Sequence, residues 1–351
     1  MRKMIGLLAL VLAVPAVPAS AETVVKVGWC ARTVTSAAAP FAIATKMGWF
    51  KDAGISVELV PLPGSTDCVK LVGTGDIPYA LPSVEPLASL RPQGLKAKVF
   101  YTAYQGNIYG PAVPAESPIK TLADLKGKRI GVQAMASAGY PVIRAIVASE
   151  GMDPDTDISV IVVGEGAQAA ALVRSGQVDA LSLYDVQYAL IENAGVPLRR
   201  IEAKQIDRYP SNGFIALDET LEKNRAQAVA LTQGYAKGTL FAIANPEAAV
   251  RSLWEVFPLT KATGKDEATA LKDDMKAIQA RIVNWRLDKA GVTHWGENSI
   301  ANYDAYLDFL LKWQVIKQKP NVADVVTNDL LTDIDKFDPD AVTAQAKAYK
   351  F

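Results

Sequence analysis

The chain has 351 residues, half of them hydrophobic, with 37 lysines and arginines against 37 aspartates and glutamates. This length and apolar content are enough for a large core divided between about two lobes. The balanced charge and the lack of a basic run argue against a nucleic-acid-binding surface, so we expect no nucleic-acid partner.

The N-terminus has the pattern of a secretory signal peptide. Arg2 and Lys3 precede an apolar run from Met4 to about Val14, and a small-residue cleavage site ends at Ala21. We therefore predict that residues 1–21 are removed and that the exported chain begins at Glu22. No later stretch reaches the roughly 18 consecutive apolar residues of a membrane span.

Two cysteines, Cys30 and Cys68, enter an oxidising compartment after export. Both are predicted to lie where neighbouring strands end, so a disulfide between them is possible. A disulfide would stabilise the fold by about 4 kcal/mol in the chain-entropy model. Two small buried thiols are an equally good interpretation of the sequence.

The chain repeats itself after about 100 residues. Each copy has a strand, a loop of small residues, an apolar helix, a second buried strand, a glycine turn, and a helix that leads into a third strand. The matched pairs are Lys26–Gly28 with Arg129–Gly131, Ile55–Val60 with Ile158–Val163, and Leu71–Leu81 with Leu172–Leu183. A match over three consecutive βα units indicates two lobes of the same architecture.

Strands that alternate with helices in this way predict parallel sheets with right-handed crossovers. We therefore expect an α/β fold of two doubly wound lobes, joined by two crossover segments, with a cleft between the carboxyl ends of their strands. Strands at Lys98–Tyr104 and Ile108–Val113 mark the first crossing, and Arg208–Ile215 marks the return. The expected boundaries give a first lobe of residues 22–112 plus 213–351 and a second lobe of 113–212.

The segment after the return is predicted to be mainly helical and to complete the first lobe. Its predicted helices are Leu221–Ala244, Pro246–Val256, Asp266–Arg281 and Ile300–Val315. Two crossings between two lobes suggest a hinge, which suits reversible enclosure of a solute.

Several segments resemble the periplasmic solute-binding proteins of bacterial ABC importers, of the taurine, alkanesulfonate, nitrate and thiamine-pyrimidine type. The segments are IKTLADLKGKRIGV (Ile119–Val132), SGQVDA (Ser175–Ala180), GTGDI (Gly73–Ile77), Phe41–Asp67 and Leu221–Val250. The resemblance implies the type II periplasmic binding protein fold. It also implies a hinged, monomeric periplasmic receptor that needs no cofactor and delivers a small-molecule solute to a membrane permease.

The resemblance also places ligand contacts on loops at the ends of the strands. In the first lobe these positions are Arg32 and Ser36 in the loop Cys30–Ala39, then Gly64, Ser65, Thr66, Ser83 and Glu85. In the second lobe they are Gln133, Ser137, Ala138, Gly139, the turn Gly164–Ala167, Tyr184 and Asp185. Helix capping is an alternative role for Ser65, Thr66, Ser83 and Asp185, and Arg32 is alternatively a solvated loop charge.

The small residues after the strand Arg129–Val132 leave backbone N–H groups at a helix start open to a ligand oxygen, or form an ordinary βα turn. Acids at Glu85 and Asp185 would disfavour a bare anion. Tyrosines at 101, 104, 109 and 140 leave room for an aromatic or heterocyclic solute, although such residues are more often core. The ligand class therefore stays open between sulfonate, nitrate, carboxylate and heterocycle.

Sequence motifs for catalysis are missing from the chain. A single histidine, His294, excludes a histidine metal cluster, and no G-x-S-x-G, H-E-x-x-H or Walker A pattern is present. An enzyme of the thiamine-pyrimidine synthase type on the same scaffold is the main alternative, but its cysteine-rich motif and histidine do not stand here. A ligand-sensing regulator is a weaker alternative, because no helix-turn-helix precedes the lobes.

Overall fold

The computed structural model describes residues 22–351. The predicted signal peptide, residues 1–21, lies outside the described residues. Within residues 22–351 no helix combines the length and the apolar character needed to cross a bilayer.

The strands form two separate five-stranded sheets, as the internal repeat predicts. The first sheet has the order β2-β1-β3-β10-β4 and the second has the order β7-β6-β8-β5-β9. The strands are β1 (Thr23–Trp29), β2 (Ile55–Pro61), β3 (Tyr79–Ala80), β4 (Ala97–Thr102), β5 (Tyr109–Pro114), β6 (Lys128–Val132), β7 (Ile158–Val162), β8 (Ala180–Tyr184), β9 (Leu198–Arg200) and β10 (Gly213–Leu217). The first sheet defines the first lobe and the second sheet defines the second lobe.

The three repeated strands of each lobe pair in parallel and in the same relative order. In the first lobe β1 pairs with β2 from Thr23↔Ile55 onward and with β3. In the second lobe β6 pairs with β7 from Lys128↔Ile158 onward and with β8. This equivalence explains why the sequence match extends over three consecutive units.

Each sheet also contains one antiparallel strand, so the sheets are mixed rather than parallel throughout. Strand β5 runs antiparallel to β8 and β9, and β10 runs antiparallel to β3 and β4. Each of these two strands follows a crossing from the other lobe. A chain that enters a sheet from the edge where the parallel strands end must run in the opposite direction. All of β5 pairs within the second sheet, including residues 109–112, which the expected boundaries assign to the first lobe.

Helices cover both sheets. They are α1 (Ala39–Lys46), α2 (Trp49–Asp52), α3 (Ser65–Thr74), α4 (Val84–Leu90), α5 (Gly139–Ser149), α6 (Gly166–Arg174), α7 (Asp185–Asn193), α8 (Asp218–Lys223), α9 (Arg225–Ala244), α10 (Pro246–Val256), α11 (Glu267–Trp285), α12 (Ile300–Lys312), α13 (Val322–Val325), α14 (Leu331–Ile334) and α15 (Pro339–Ala348). The long helices after the return crossing agree with the predicted helices to within a few residues.

An aromatic cluster fills the core of the first lobe between its sheet and helix α9. The rings of Phe41 and Phe214 pack around Tyr235, with centroid distances of 4.9 Å and 5.0 Å. All three side chains are fully buried, and edge-to-face pairs of this kind add about 0.5–1.5 kcal/mol each beyond burial. The cluster fixes α9 over the sheet.

The two cysteines form a disulfide in the structure. Cys30, just after β1, is joined to Cys68 in α3, and their Cα atoms lie 5.9 Å apart. The link ties the loop that follows β1 to the helix that follows β2. Both elements therefore keep a fixed position at the cleft edge of the first sheet.

Helix α11 does more than complete the first lobe. It packs against α10 of the first lobe and also along α7 of the second lobe. Lys276 Nζ lies 2.8 Å from Glu192 Oε2, and Asn193 Nδ2 donates to the carbonyl oxygen of Asp273. The prediction that this helix completes the first lobe is therefore incomplete, because α11 also connects the two lobes beside the cleft.

Candidate functional site

The carboxyl ends of β1, β3 and β8 meet the two crossing segments around one cavity between the lobes. Its walls include Trp29 and Leu81 from the first lobe, Tyr184 from the second, and Tyr104 and Asn212 from the crossings. The cavity is small, with a volume of about 30 Å³, which is room for about one water molecule. A solute can enter only when the lobes or these side chains move apart.

Aromatic side chains give the cavity its shape. Trp29 is held in place because its indole N–H donates to the carbonyl oxygen of Thr33 at 2.8 Å. The rings of Tyr109 and Tyr184 meet edge to face at 6.1 Å. Burial raises the pKa of both tyrosines. They therefore stay uncharged at neutral pH and present ring surface to the cavity, while the Tyr109 hydroxyl donates to Asn212 Oδ1 and the Tyr184 hydroxyl accepts from Gln187 Nε2.

A buried ion pair lies beside the cavity. Arg281 of α11, which is 2% exposed, binds the carboxylate of Asp185 through Nη2 at 2.6 Å and Nε at 2.9 Å. Asn284 Nδ2 donates to the same carboxylate at 3.0 Å. Burial opposes the charge of Arg281, but the Asp185 carboxylate outweighs it and the pKa of the guanidinium is raised. Removing one partner of such a pair costs about 3–5 kcal/mol.

Asp185 was predicted both as a ligand contact and as a helix cap, and its carboxylate is largely occupied by protein groups. It accepts from the backbone N–H of Val186 at 2.7 Å and from Arg281 and Asn284. Arg281 itself was not identified from the sequence. Nothing in the sequence of α11 distinguishes it from the other cations there, because its partner lies 96 residues away.

We call the contact between the two lobes at the edge of the cavity the mouth of the cleft. The first lobe contributes segments 30–35 and 64–66, and the second lobe contributes segments 133–137 and 164–167. Glu165 of the second lobe accepts the backbone N–H of Arg32 at 2.9 Å and the hydroxyl hydrogen of Thr33. The side-chain amide of Gln133 also donates to Glu165. The Arg32 side chain is exposed, so Arg32 engages the opposite lobe through its backbone N–H, and Thr33 does so through its hydroxyl.

A second cross-lobe contact joins the loops on the other side of the mouth. The backbone N–H of Thr66 donates to the carbonyl oxygen of Ala136 at 3.1 Å. The Cα of Gly64 lies so close to Ala136 that a Cβ on residue 64 would be 2.4 Å from the carbonyl oxygen of Ala136. The Ser137 side chain stays within its own loop, because its hydroxyl donates to the carbonyl oxygen of Ala134 at 2.7 Å. The lobes are therefore closed at the mouth.

Ser83 and Glu85 are buried in the first lobe, where they do not line the cavity. The Ser83 N–H donates to the hydroxyl oxygen of Ser65 at 3.1 Å. Glu85 is 3% exposed and accepts from the Tyr306 hydroxyl, while its Oε2 has no partner among the described residues. Burial raises the pKa of Glu85, and the hydrogen bond from the Tyr306 hydroxyl partly opposes this.

The other predicted positions pack locally in the structure. Ser36 is 1% exposed in the helical turn that precedes α1, Ala138 is buried, and Gly139 accepts the Ser182 hydroxyl hydrogen through its carbonyl oxygen at 2.8 Å. Of the predicted site residues, Tyr184 and the loop that begins at Cys30 line the cavity. The mouth contains Arg32, Gly64, Thr66 and Gln133.

Comparison with known families shows which family this chain belongs to. The model of the family described as "NMT1/THI5 like" matches residues 35–249. The chain belongs to this family. Among curated relatives, a Brucella abortus (strain 2308) protein that is named only as a binding protein is 26% identical over 231 residues, which is 65% of this chain and 70% of that one.

Solved structures share the fold of this NMT1/THI5-like protein. The alkanesulfonate-binding protein SsuA of Xanthomonas axonopodis pv. citri, bound to MOPS, has a TM-score of 0.65 at 17% identity and covers 88% of this chain and 99% of its own. The periplasmic nitrate-binding protein NrtA of Synechocystis PCC 6803 has a TM-score of 0.64 at 16% identity, covering 94% and 99%. At these identities the likeness establishes the periplasmic binding protein fold. Helix α11 lies beyond the residues that the family model matches.

Proposed function

We propose that this chain is the periplasmic receptor of an ABC importer, which captures a small polar organic solute by closure of its two lobes. The observation that carries the proposal is a cavity between two lobes that are joined by two crossing segments and bonded at the mouth. Closure removes water from the solute and so strengthens its hydrogen bonds. The receptor acts as a monomer and delivers the solute to a membrane permease.

The chemistry of the described residues supports binding rather than catalysis. Both cysteines are joined in the disulfide, and His294 is half exposed at the surface, where Nδ1 pairs with Asp335 at 2.6 Å. The cavity lining therefore offers no thiol or imidazole to a substrate. The alternative of a thiamine-pyrimidine synthase on this scaffold has no such group to use.

Native mass spectrometry of the protein, purified from the periplasm without denaturation, tests the proposal. We expect an adduct of a few hundred daltons that is lost on partial unfolding. In parallel, a library of sulfonates, nitrate, carboxylates and pyrimidines should contain a compound that raises the melting temperature by mass action. Absence of both an adduct and a stabilising compound would reject the receptor function.

A further inference from the structure

The carboxylate of Glu165 joins the two lobes across the mouth of the cleft. It accepts the backbone N–H of Arg32 at 2.9 Å and the hydroxyl hydrogen of Thr33, both from the first lobe, and the side-chain amide of Gln133 from its own lobe. Hydrogen bonds to a carboxylate are stronger than those between neutral groups. We call these three bonds the Glu165 latch.

On the first-lobe side, the latch is connected to a wall of the cavity. The carbonyl oxygen of Thr33 accepts the indole N–H of Trp29 at 2.8 Å, and Trp29 lines the cavity. Between these two residues, Cys30 is fixed by its disulfide to Cys68 in α3. Because this segment is short and tied down, a displacement of the Trp29 indole is passed on to Thr33.

On the second-lobe side, a buried glutamine makes the equivalent connection. The backbone N–H of Gly166, next to Glu165, donates to Gln187 Oε1 at 2.8 Å. Gln187 is fully buried, and its Nε2 donates to the Tyr184 hydroxyl at 3.2 Å. Tyr184 also lines the cavity, so a displacement of its ring is passed on to the turn that carries Glu165.

The backbone on either side of Glu165 has an uncommon conformation. Gly164 and Gly166 have φ angles of +71° and +50°, which residues other than glycine rarely adopt. The two glycines therefore allow the turn that brings the Glu165 carboxylate to the first lobe.

We propose that Glu165 is the positioning residue for lobe closure and that the walls of the cavity set the strength of its bonds. The proposal rests on the proposed receptor function, which requires an open and a closed arrangement of the mouth. Hydrogen bonds and one peptide bond join one wall to the other through the mouth, in the order Trp29, Thr33, Glu165, Gly166, Gln187 and Tyr184. A solute that moves Trp29 or Tyr184 therefore changes the latch and shifts the mouth between its two arrangements.

Two spin labels measure the distance between the lobes in the purified protein. They are introduced at exposed positions, as Lys70→Cys in α3 and Ala171→Cys in α6, and labelling without reductant keeps the native disulfide. We expect a closed population at the separation of the described structure, and Glu165→Ala should lower the ratio of closed to open molecules at least about fivefold. A labelled protein with no closed population, or an unchanged ratio in Glu165→Ala, overturns the proposal.

Glu116→Ala is the matched control, because Glu116 is an exposed glutamate of the second lobe that takes no part in the latch. Its ratio of closed to open molecules should equal that of the unmodified protein. A fall as large as that of Glu165→Ala would show that the loss of any surface carboxylate has this effect, and would reject the latch.

A second pair of variants isolates the hydroxyl of Thr33. Thr33→Val keeps the shape of the side chain and removes the hydroxyl, so it should lower the ratio, whereas Thr33→Ser keeps the hydroxyl and should preserve the ratio. Because Thr33 and Glu165 act through one bond, adding Thr33→Val to Glu165→Ala should cause no further loss. Equal ratios in the two single variants, or additive losses, contradict the latch.

Two further variants test the connection to the cavity walls. Gln187→Leu removes the bonds to Gly166 and Tyr184, and Trp29→Phe removes the indole N–H and keeps an aromatic ring. Each should lower the ratio at least about twofold, although neither side chain bonds across the mouth. Circular dichroism checks folding, and Trp29→Phe decides if Gln187→Leu does not fold. Ratios equal to that of the unmodified protein reject the connection.

The latch and the receptor function fail separately. The spin-label distances need no solute, so an unchanged distance distribution in Glu165→Ala rejects the role of Glu165 whatever native mass spectrometry finds. A changed distribution without any adduct or stabilising compound supports the latch as the contact that closes the lobes and rejects the receptor function.

Discussion

Glu85 shows how a single side chain can have a role that its sequence position does not reveal. Its place at the start of α4 suggested a ligand contact, but the structure buries it against Tyr306. A buried carboxyl group is more stable in its protonated form, because an ionised one would lose its hydration. The effect of Glu85 on the stability of the folded protein therefore depends on pH.

We predict that Glu85 makes the protein less stable as pH rises. Burial raises its pKa above the ordinary value of 4.5, so the folded protein binds this proton more tightly than the unfolded chain. The contribution of the Glu85 proton to stability is then fully present below about pH 4.5. It is lost as pH increases through the raised pKa, by about 1.4 kcal/mol for each unit that the two pKa values differ.

Glu85→Gln is the matched variant, because it keeps an acceptor for the Tyr306 hydroxyl and does not titrate. Melting temperatures measured from pH 4.5 to pH 8 should fall less in the variant than in the unmodified protein. Buried carboxyl groups elsewhere, such as Asp274, contribute equally to both curves. Parallel curves would show that Glu85 is ionised in the folded protein throughout this range.

At the scale of elements, the long helices after the return crossing were predicted correctly and one of them was given too narrow a role. The apolar periodicity that identifies a helix gives its buried face. It does not say which neighbour covers that face. Helix α11 buries Arg281 and Trp285, and only its packing against α7 reveals that it connects the lobes.

The crossing of α1 and α9 gives a prediction about stability. Alanine normally stabilises a helix relative to glycine by roughly 0.5–1 kcal/mol. At Gly238, however, a Cβ would lie 2.1 Å from the carbonyl oxygen of Pro40, so the two backbones must separate. Gly238→Ala should therefore lower the free energy of unfolding by about 1–3 kcal/mol, measured by urea denaturation.

Gly234→Ala in the same helix is the comparison. Its Cβ would meet the ring of Phe50 at 2.4 Å, and a side chain can rotate away where a backbone cannot. We expect a smaller loss of stability than for Gly238→Ala. A gain for Gly238→Ala would mean that the helices are less closely packed than described.

The whole molecule is a pair of lobes that touch at the mouth of the cavity between them. One part of the contact joins two backbones, Gly64 against Ala136, and the other joins the backbone N–H of Arg32 to the Glu165 carboxylate. Small residues on both loops are what permit this approach. The sequence predicted ligand contacts on these loops, but it could not show that the loops touch each other.

Gly64→Ala should keep the mouth open. The added methyl group would lie 2.4 Å from the Ala136 oxygen and 2.7 Å from the Ser137 nitrogen when the lobes close. We expect a larger radius of gyration in X-ray scattering with an unchanged melting temperature. Affinity for any solute that stabilises the unmodified protein should fall at least about tenfold.

Lys70→Ala, on the exposed side of helix α3, which begins directly after Gly64, is the control and should behave like the unmodified protein. Identical scattering and affinity for Gly64→Ala and Lys70→Ala would mean that the closed mouth is not the form in which the protein binds its solute.

The sequence alone determined the α/β class, the two-lobed repeat, the position of most strands and helices, and the loop after β1 as part of the cleft. These features depend on local periodicity and on a repeat that is written in the chain itself. The tertiary structure alone decided that Asp185 faces Arg281, that Glu165 closes the mouth, and that Glu85 lies outside the cavity. Each of these depends on a contact between residues far apart in sequence, where local pattern carries no information about the partner.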